Sequence, residues 1–127
     1  MQRLLLVAAG GALGSALRYL VATAALVWLG PAFPWGTLAV NLAGSFLIGV
    51  VQAVVAHRLV LGEETRLFLT TGVMGGFTTY SAFSYETVGL MERGAWGAAW
   101  LNVALTTAAC LAACYLGILT GRLLRGS

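Results

Sequence analysis

Residues 72–86 read Gly72-Val73-Met74-Gly75-Gly76-Phe77-Thr78-Thr79-Tyr80-Ser81-Ala82-Phe83-Ser84-Tyr85-Glu86. Most of this stretch lies in a charge-free run, residues 67–85, that is long enough to cross a membrane. A helix facing lipid has no use for so many glycines and hydroxyls. Paired glycines followed by paired threonines are poor helix chemistry, because glycine carries a large entropy cost and threonine is stiff at χ1. A break over residues 75–79 would expose backbone amides and carbonyls at membrane depth. That is tolerated only where protein or water satisfies them, and it is a recurrent way to build an ion site. Beyond the break, Tyr80 and Phe83 are three apart, as are Ser81 and Ser84, so rings and hydroxyls alternate along one side of a helix. Ring edges are weakly positive and hydroxyls donate hydrogen bonds, which suits an anion. A packing face of aromatics and small residues fits the same periodicity, and spacing alone leaves both readings open.

The rest of the chain has the composition of a membrane protein. Its 127 residues are 60% hydrophobic and 9% charged, where a soluble domain carries about a quarter charged residues. The other charge-free runs are residues 4–17, 19–57 and 94–121. The first is interrupted only by Arg18 and continues apolar to Trp28 with no processing-like boundary, so the expectation is a retained span and not a cleaved leader. The predicted fold is an all-α integral membrane protein forming one domain over residues 1–127. Four transmembrane helices are predicted, over residues 4–28, 35–57, 65–90 and 95–122, with the third broken near its middle. Gly30-Pro31-Ala32-Phe33-Pro34, the polar residues 58–64 and Glu92-Arg93-Gly94 form the turns. Connections this short set successive helices antiparallel.

Charge orders the ends. Arg3, Arg58, Arg66, Arg122 and Arg125 fall on one side, Arg93 on the other, which favours both termini in the cytoplasm. Trp28, Trp35, Trp96 and Trp100 cluster at the opposite interface. The net charge of +3 is scattered over span ends and forms no patch, so nucleic acid is not an expected partner. Cys110 and Cys114 share a helix face, where a disulfide is disfavoured, and they read as small packing residues. No nucleophile–base or metal-ligand constellation appears, so an enzyme is not expected.

Polar residues recur where lipid would forbid them. Thr37, Asn41 and Ser45 form a stripe on the second span, with Gln52 further along, and Asn102, Thr106 and Cys110 repeat the device on the fourth. A carboxamide in hydrocarbon needs partners, so these residues either bond to neighbouring helices or face water. Arg18 either snorkels to an interface or serves a vestibule, as an anion-attracting charge or a clamp on helix ends. Glu86 is either a surface charge or a vestibule lining. Four helices enclose too little space for a wide pore, so a polar path would form between subunits. Gly10/Gly14, Gly72/Gly76 and Gly117/Gly121 are small-residue pairs that let backbones approach.

Three stretches together resemble the Fluc (CrcB) fluoride channel family: residues 10–19, residues 36–46 and the opening residues 72–86. The likeness covers three of the four predicted spans in the family's order. It implies a passive fluoride-selective channel that exports cytoplasmic fluoride and relieves its toxicity. It further implies a multi-pass protein of a bacterial or archaeal cell (inner) membrane, assembled as an antiparallel dual-topology homodimer with two pores. By this resemblance Asn41 donates amide hydrogens into the pore, with Thr37 on the same stripe. Tyr80 and Phe83 are the pore aromatics, Ser81 adjoins them on a polar track, and Asn102 and Thr106 are pore neighbours. Arg18 corresponds to the family's vestibule arginine, and Glu86, beside the third motif, is grouped with it as a candidate vestibule residue. Backbone carbonyls of Gly75 and Thr78 hold a structural sodium ion (Na+) at the dimer centre. Two positions depart from the family pattern: Tyr80 stands where phenylalanine is common and Ala82 where threonine is frequent. The arginine asymmetry also strains dual topology. Either compact loops insert both ways despite it, or the chain pairs with an oppositely oriented homologue; the homodimer is the reading adopted.

Two rival classes share the four-span pattern. A proton-coupled exporter resembling the small multidrug transporters needs a membrane-embedded carboxylate, which the first span lacks. A non-conducting structural subunit of a larger membrane complex needs none. Tyr80→Phe is expected to preserve fluoride efflux from liposomes, because the ring is what the resemblance assigns to the pore; lost flux would give the phenol hydroxyl a role.

Overall fold

The structure, a computed structural model, describes residues 1–56 and 62–126. Among these every regular element is helical: α1 (Gln2–Leu29), α2 (Trp35–Val55), α3 (Glu63–Leu67), a π-helical stretch (Phe68–Met74), α4 (Gly75–Phe77), α5 (Tyr80–Glu92) and α6 (Trp96–Gly126). α1, α2 and α6 are each long and apolar enough to cross a membrane. Gly30 and Gly94 take positive φ, 79° and 78°, at the turns that follow α1 and α5, where a side chain would be strained.

The third segment differs from its expected form. Glycine pairing predicts a break over residues 75–79, yet Gly75–Phe77 remain helical and only Thr78 and Thr79 leave the helix. Their backbones are extended, at φ −82°, ψ 157° and φ −153°, ψ 113°. The preceding residues widen into a π-helix, where the Thr70 hydroxyl donates back to the Arg66 carbonyl at 2.8 Å. Back-bonds of this kind bend helices. The glycines act instead on neighbouring chain. A Cβ at Gly14 would fall on the Val73 carbonyl oxygen and 2.8 Å from the Phe77 amide nitrogen, and one at Gly76 would strike the Gly11 carbonyl. Gly10 and Gly72 meet in the same way, at 2.9 Å. The backbone of α1 thus lies directly against the π-helical stretch and α4, as small-residue pairs allow.

α2 and α6 pack by the same means. Gly49 faces the Cys114 carbonyl, Gly117 faces the Phe46 carbonyl, and a Cβ at Gly121 would lie 2.7 Å from the Val50 carbonyl oxygen. The outer surface is apolar. In α1 only Gly10 and Gly14 are buried, while Leu5, Leu20 and Val27 are exposed. Such a surface belongs in lipid or against another apolar protein face.

The two ends are chemically distinct. Arg3 pairs with Glu63 at 3.1 Å, which ties α1 to α3, and Arg125 donates to the Ala53 carbonyl at 2.9 Å, which ties α6 to the end of α2. All four tryptophans are exposed, at the last turn of α1 and the first turns of α2 and α6. His57 and Arg58, expected at the end of the second span and in its loop, lie outside the described residues.

Gly14→Ala is expected to destabilise the folded chain by about 1–3 kcal/mol, the range for overpacking a tight contact. Gly97→Ala, whose Cβ would meet open space, should be neutral. Thermal unfolding of the two purified variants in detergent checks the contrast.

Candidate functional site

The site is built where the third segment leaves the helix. Asn41, in the middle of α2, takes the Thr79 amide on its Oδ1 at 2.8 Å and returns one Nδ2 hydrogen to the Thr79 carbonyl at 3.0 Å. Its carboxamide therefore pairs with the backbone of a single residue, much as a neighbouring strand would. Gly44, three residues on, leaves room for the Thr78 methyl, which a Cβ there would strike. Thr79 also caps α5: its hydroxyl accepts from the Ala82 amide at 3.1 Å and lies 3.3 Å from the Ser81 hydroxyl. Threonine at this position is a favoured helix start.

The break re-routes a set of backbone bonds. In an uninterrupted helix the amides of Thr79 and Ala82 would close on the carbonyls of Gly75 and Thr78, four residues back. Here they go to the Asn41 and Thr79 side chains. The Met74 carbonyl takes both the amide and the hydroxyl of Thr78, at 3.0 and 2.9 Å. The Gly76 carbonyl accepts from Arg18 Nε at 3.1 Å. Arg18 thus binds the backbone at the end of α4.

A groove of about 530 Å³ opens beside the break. Asn41, Gly75, Thr78, Tyr80, Phe83 and Thr106 all line it, together with Ser45, Thr79 and Cys110. The Tyr80 and Phe83 rings lie 5.5 Å apart at 49°. They differ in cover: Phe83 is 9% exposed and Tyr80 is 80% exposed. Ser81 is not part of the lining. Thr37 and Glu86 are also elsewhere, in a second cavity of about 560 Å³ near the tryptophan-rich end. There the Thr37 hydroxyl donates to Glu86 Oε1 at 2.8 Å, and Glu86 Oε2 is buried with no partner among the described residues.

Behind the groove runs a buried ladder that joins α6 to α5. The Thr106 hydroxyl donates to Asn102 Oδ1 at 3.1 Å, Asn102 Nδ2 donates to Thr87 Oγ1 at 2.9 Å, and Thr87 donates to the Phe83 carbonyl. The ladder ends on the backbone that carries the groove's buried ring. Thr87 and the capping role of Thr79 escape a reading by side-chain stripes. Thr79 carries the general signal of a threonine ahead of a helix, whereas Thr87 is one more hydroxyl on an already mixed helix. Asn102→Leu should lower stability by about 1–3 kcal/mol, because the Thr106 donor and Thr87 acceptor are left unpaired at a site 1% exposed. Thermal unfolding of the purified variant measures it.

Residues 5–118 match the family described as CrcB-like protein, Camphor Resistance (CrcB). Among similar proteins, the fluoride-specific ion channel FluC of Agrobacterium fabrum is 51% identical over 122 residues, covering 96% of this chain and 98% of that protein. Its namesake in Anaeromyxobacter dehalogenans is 49% identical over 126 residues, covering 99% of this chain and 100% of its own length. A third, from Rhizobium meliloti, is 56% identical over 94 residues, 74% of this chain and 75% of that protein. A likeness this long and even, joined to membrane-crossing helices, makes this a membrane protein, and the chain belongs to the CrcB family.

Proposed function

We propose that this chain forms a passive, fluoride-selective channel that releases cytoplasmic fluoride across a bacterial inner membrane. The observation that carries the reading is the end-to-end match to relatives named as fluoride-specific ion channels, at about half identity. Hydrogen fluoride crosses membranes as a neutral acid and dissociates in a more alkaline cytoplasm, so the anion accumulates unless a channel lets it out. The protein is a transporter and performs no covalent chemistry.

The groove supplies suitable groups. Fluoride is small and strongly hydrated, so a pore must replace its water with hydrogen-bond donors. Asn41 retains one amide hydrogen after bonding Thr79. The hydroxyl of Tyr80 and the ring edges of Tyr80 and Phe83 add weaker positive charge along the same wall. Glu86 and Thr37 fit a vestibule at the tryptophan-rich end, and Ser81 adjoins the wall without lining it. The third segment is taken as a fourth membrane crossing, made from two half-helices joined at Thr78 and Thr79. A groove open along one side needs a second wall. Exposure of Tyr80 and Gly75 on that side supports an antiparallel second copy of this chain, inserted in the opposite orientation.

The same geometry suits a sodium ion between the copies. Carbonyls of Gly75 and Thr78 border the groove, and the amides that a continuous helix would give them are bound elsewhere. Hard oxygens of this kind match a hard cation. Sodium would supply fixed positive charge at the dimer centre.

The test is fluoride release from liposomes, followed with a fluoride electrode, in sodium and in N-methylglucamine buffers. Efflux is expected without any proton gradient, with chloride retained, and reduced when sodium is withdrawn. Strict dependence on a proton gradient would instead indicate a coupled exporter, and no flux at all a structural subunit.

A further inference from the structure

The residue with the most consequential bonds in the groove is not used up by the role of anion donor. Asn41 makes two hydrogen bonds, and both go to the backbone of Thr79. The bond from the Thr79 amide matters most, because that amide is the one that would satisfy the Gly75 carbonyl in a continuous helix. Thr79 then repeats the device one turn later, its hydroxyl taking the Ala82 amide that would close on Thr78. Two side-chain oxygens, Asn41 Oδ1 and Thr79 Oγ1, therefore stand in for two carbonyls. Among the described residues no other donor takes up the Gly75 and Thr78 carbonyls. Of the other carbonyls nearby, Met74 is occupied by Thr78, Gly76 by Arg18 and Thr79 by Asn41, while that of Phe77 has no donor among the described residues.

We infer that Asn41 is a positioning residue that holds the helix break open and, relayed by Thr79, keeps the Gly75 and Thr78 carbonyls free for a cation. The cation half of the inference rests on the sodium site proposed above; the hold on the break does not. Asn41 thus joins two tasks in one amide. One Nδ2 hydrogen fixes the Thr79 carbonyl, and the other is left for the groove that Asn41 lines. Gly44 makes the arrangement possible, since any side chain there would push Thr78 away from α2.

Two readouts separate the halves. The first is the sodium dependence of thermal unfolding for detergent-purified protein, at constant ionic strength against N-methylglucamine. The second is hydrogen exchange at the Thr79 amide, read from peptides spanning the break. In wild type, sodium should raise the unfolding midpoint and the Thr79 amide should exchange slowly. In Asn41→Ala, exchange at Thr79 should rise and apparent sodium affinity should fall, each by about tenfold, the scale of one lost hydrogen bond. Asn41→Asp keeps the Oδ1 acceptor, so it should retain slow exchange and the sodium response while losing fluoride flux. Should Asn41→Ala fail to fold, Thr79→Val and Thr79→Ser provide the comparison: valine frees the Ala82 amide and should lose the sodium response, and serine should keep it. Unchanged Thr79 exchange in Asn41→Ala overturns the hold on the break. A wild-type midpoint indifferent to sodium overturns the cation half together with the sodium site, and a wild-type sodium response in both Asn41→Ala and Thr79→Val overturns the cation half alone.

Discussion

A backbone that leaves the helix among membrane-crossing segments must find hydrogen bonds without help from lipid, since each unsatisfied group there costs several kcal/mol. The pairing of Asn41 with Thr79 answers that constraint, and much of the site depends on it. It serves the Thr79 amide and carbonyl at once. It fixes where α5 begins, and so where Tyr80 and Phe83 stand. It also ties the third segment to α2 at a point where neither could be tied by apolar contact alone, because lipid tails compete equally for apolar surface.

The glycines make that bond reachable. Arg18 can cap Gly76 only because α1 lies against α4 at backbone distance, with Gly11 beneath Gly76 and Gly14 beneath Val73. On the other side, Gly44 admits the Thr78 methyl toward α2, which sets the separation over which Asn41 meets Thr79. The break is therefore held from two sides, by a guanidinium on α1 and a carboxamide on α2. Each reaches a backbone group that the helix has left without its ordinary partner. The chain uses small residues for approach and long polar ones for satisfaction.

Much of this was legible in the sequence, and what was not has a physical reason. Charge-free runs mark α1, α2 and α6, because length and apolarity are summed over many residues and no single contact can overrule them. The stripe of Thr37, Asn41 and Ser45 correctly marks a polar face, and the glycine pairs mark close helix approach. Helical spacing does not say which partner each polar side chain finds. Thr37 and Asn41 are one turn apart, yet Thr37 turns to Glu86 in one cavity and Asn41 to Thr79 in the other. The width of the break is not legible in the sequence for a similar reason. Propensity weighs Gly75 and Gly76 as helix breakers, but their neighbourhood uses the missing side chains for packing, and the helix persists to Phe77. Beyond it the Thr79 amide is taken by a side chain on α2, a tertiary partner that no local signal names.

In the proposed pore, hydrogen bonds already made would narrow how an anion is handled. Many hydroxyl hydrogens near the groove are already committed: Thr106 to Asn102, Thr87 to the Phe83 carbonyl, Ser84 to the Tyr80 carbonyl, Thr78 to the Met74 carbonyl. The Ser45, Tyr80 and Thr107 hydroxyls, which also line the groove, carry no such bond among the described residues. In the proposed pore an anion would meet these, the remaining Asn41 hydrogen and the ring edges first, and would draw a committed hydroxyl from its acceptor only beyond them. Thr78 is the groove hydroxyl for which that exchange leaves the fewest unmet groups, since the Met74 carbonyl would keep the Thr78 amide. A larger, weakly hydrated anion gains less from each recovered donor than fluoride does. In the proposed pore a committed hydroxyl would therefore turn only to an ion whose hydrogen bonds are strong enough to redirect it.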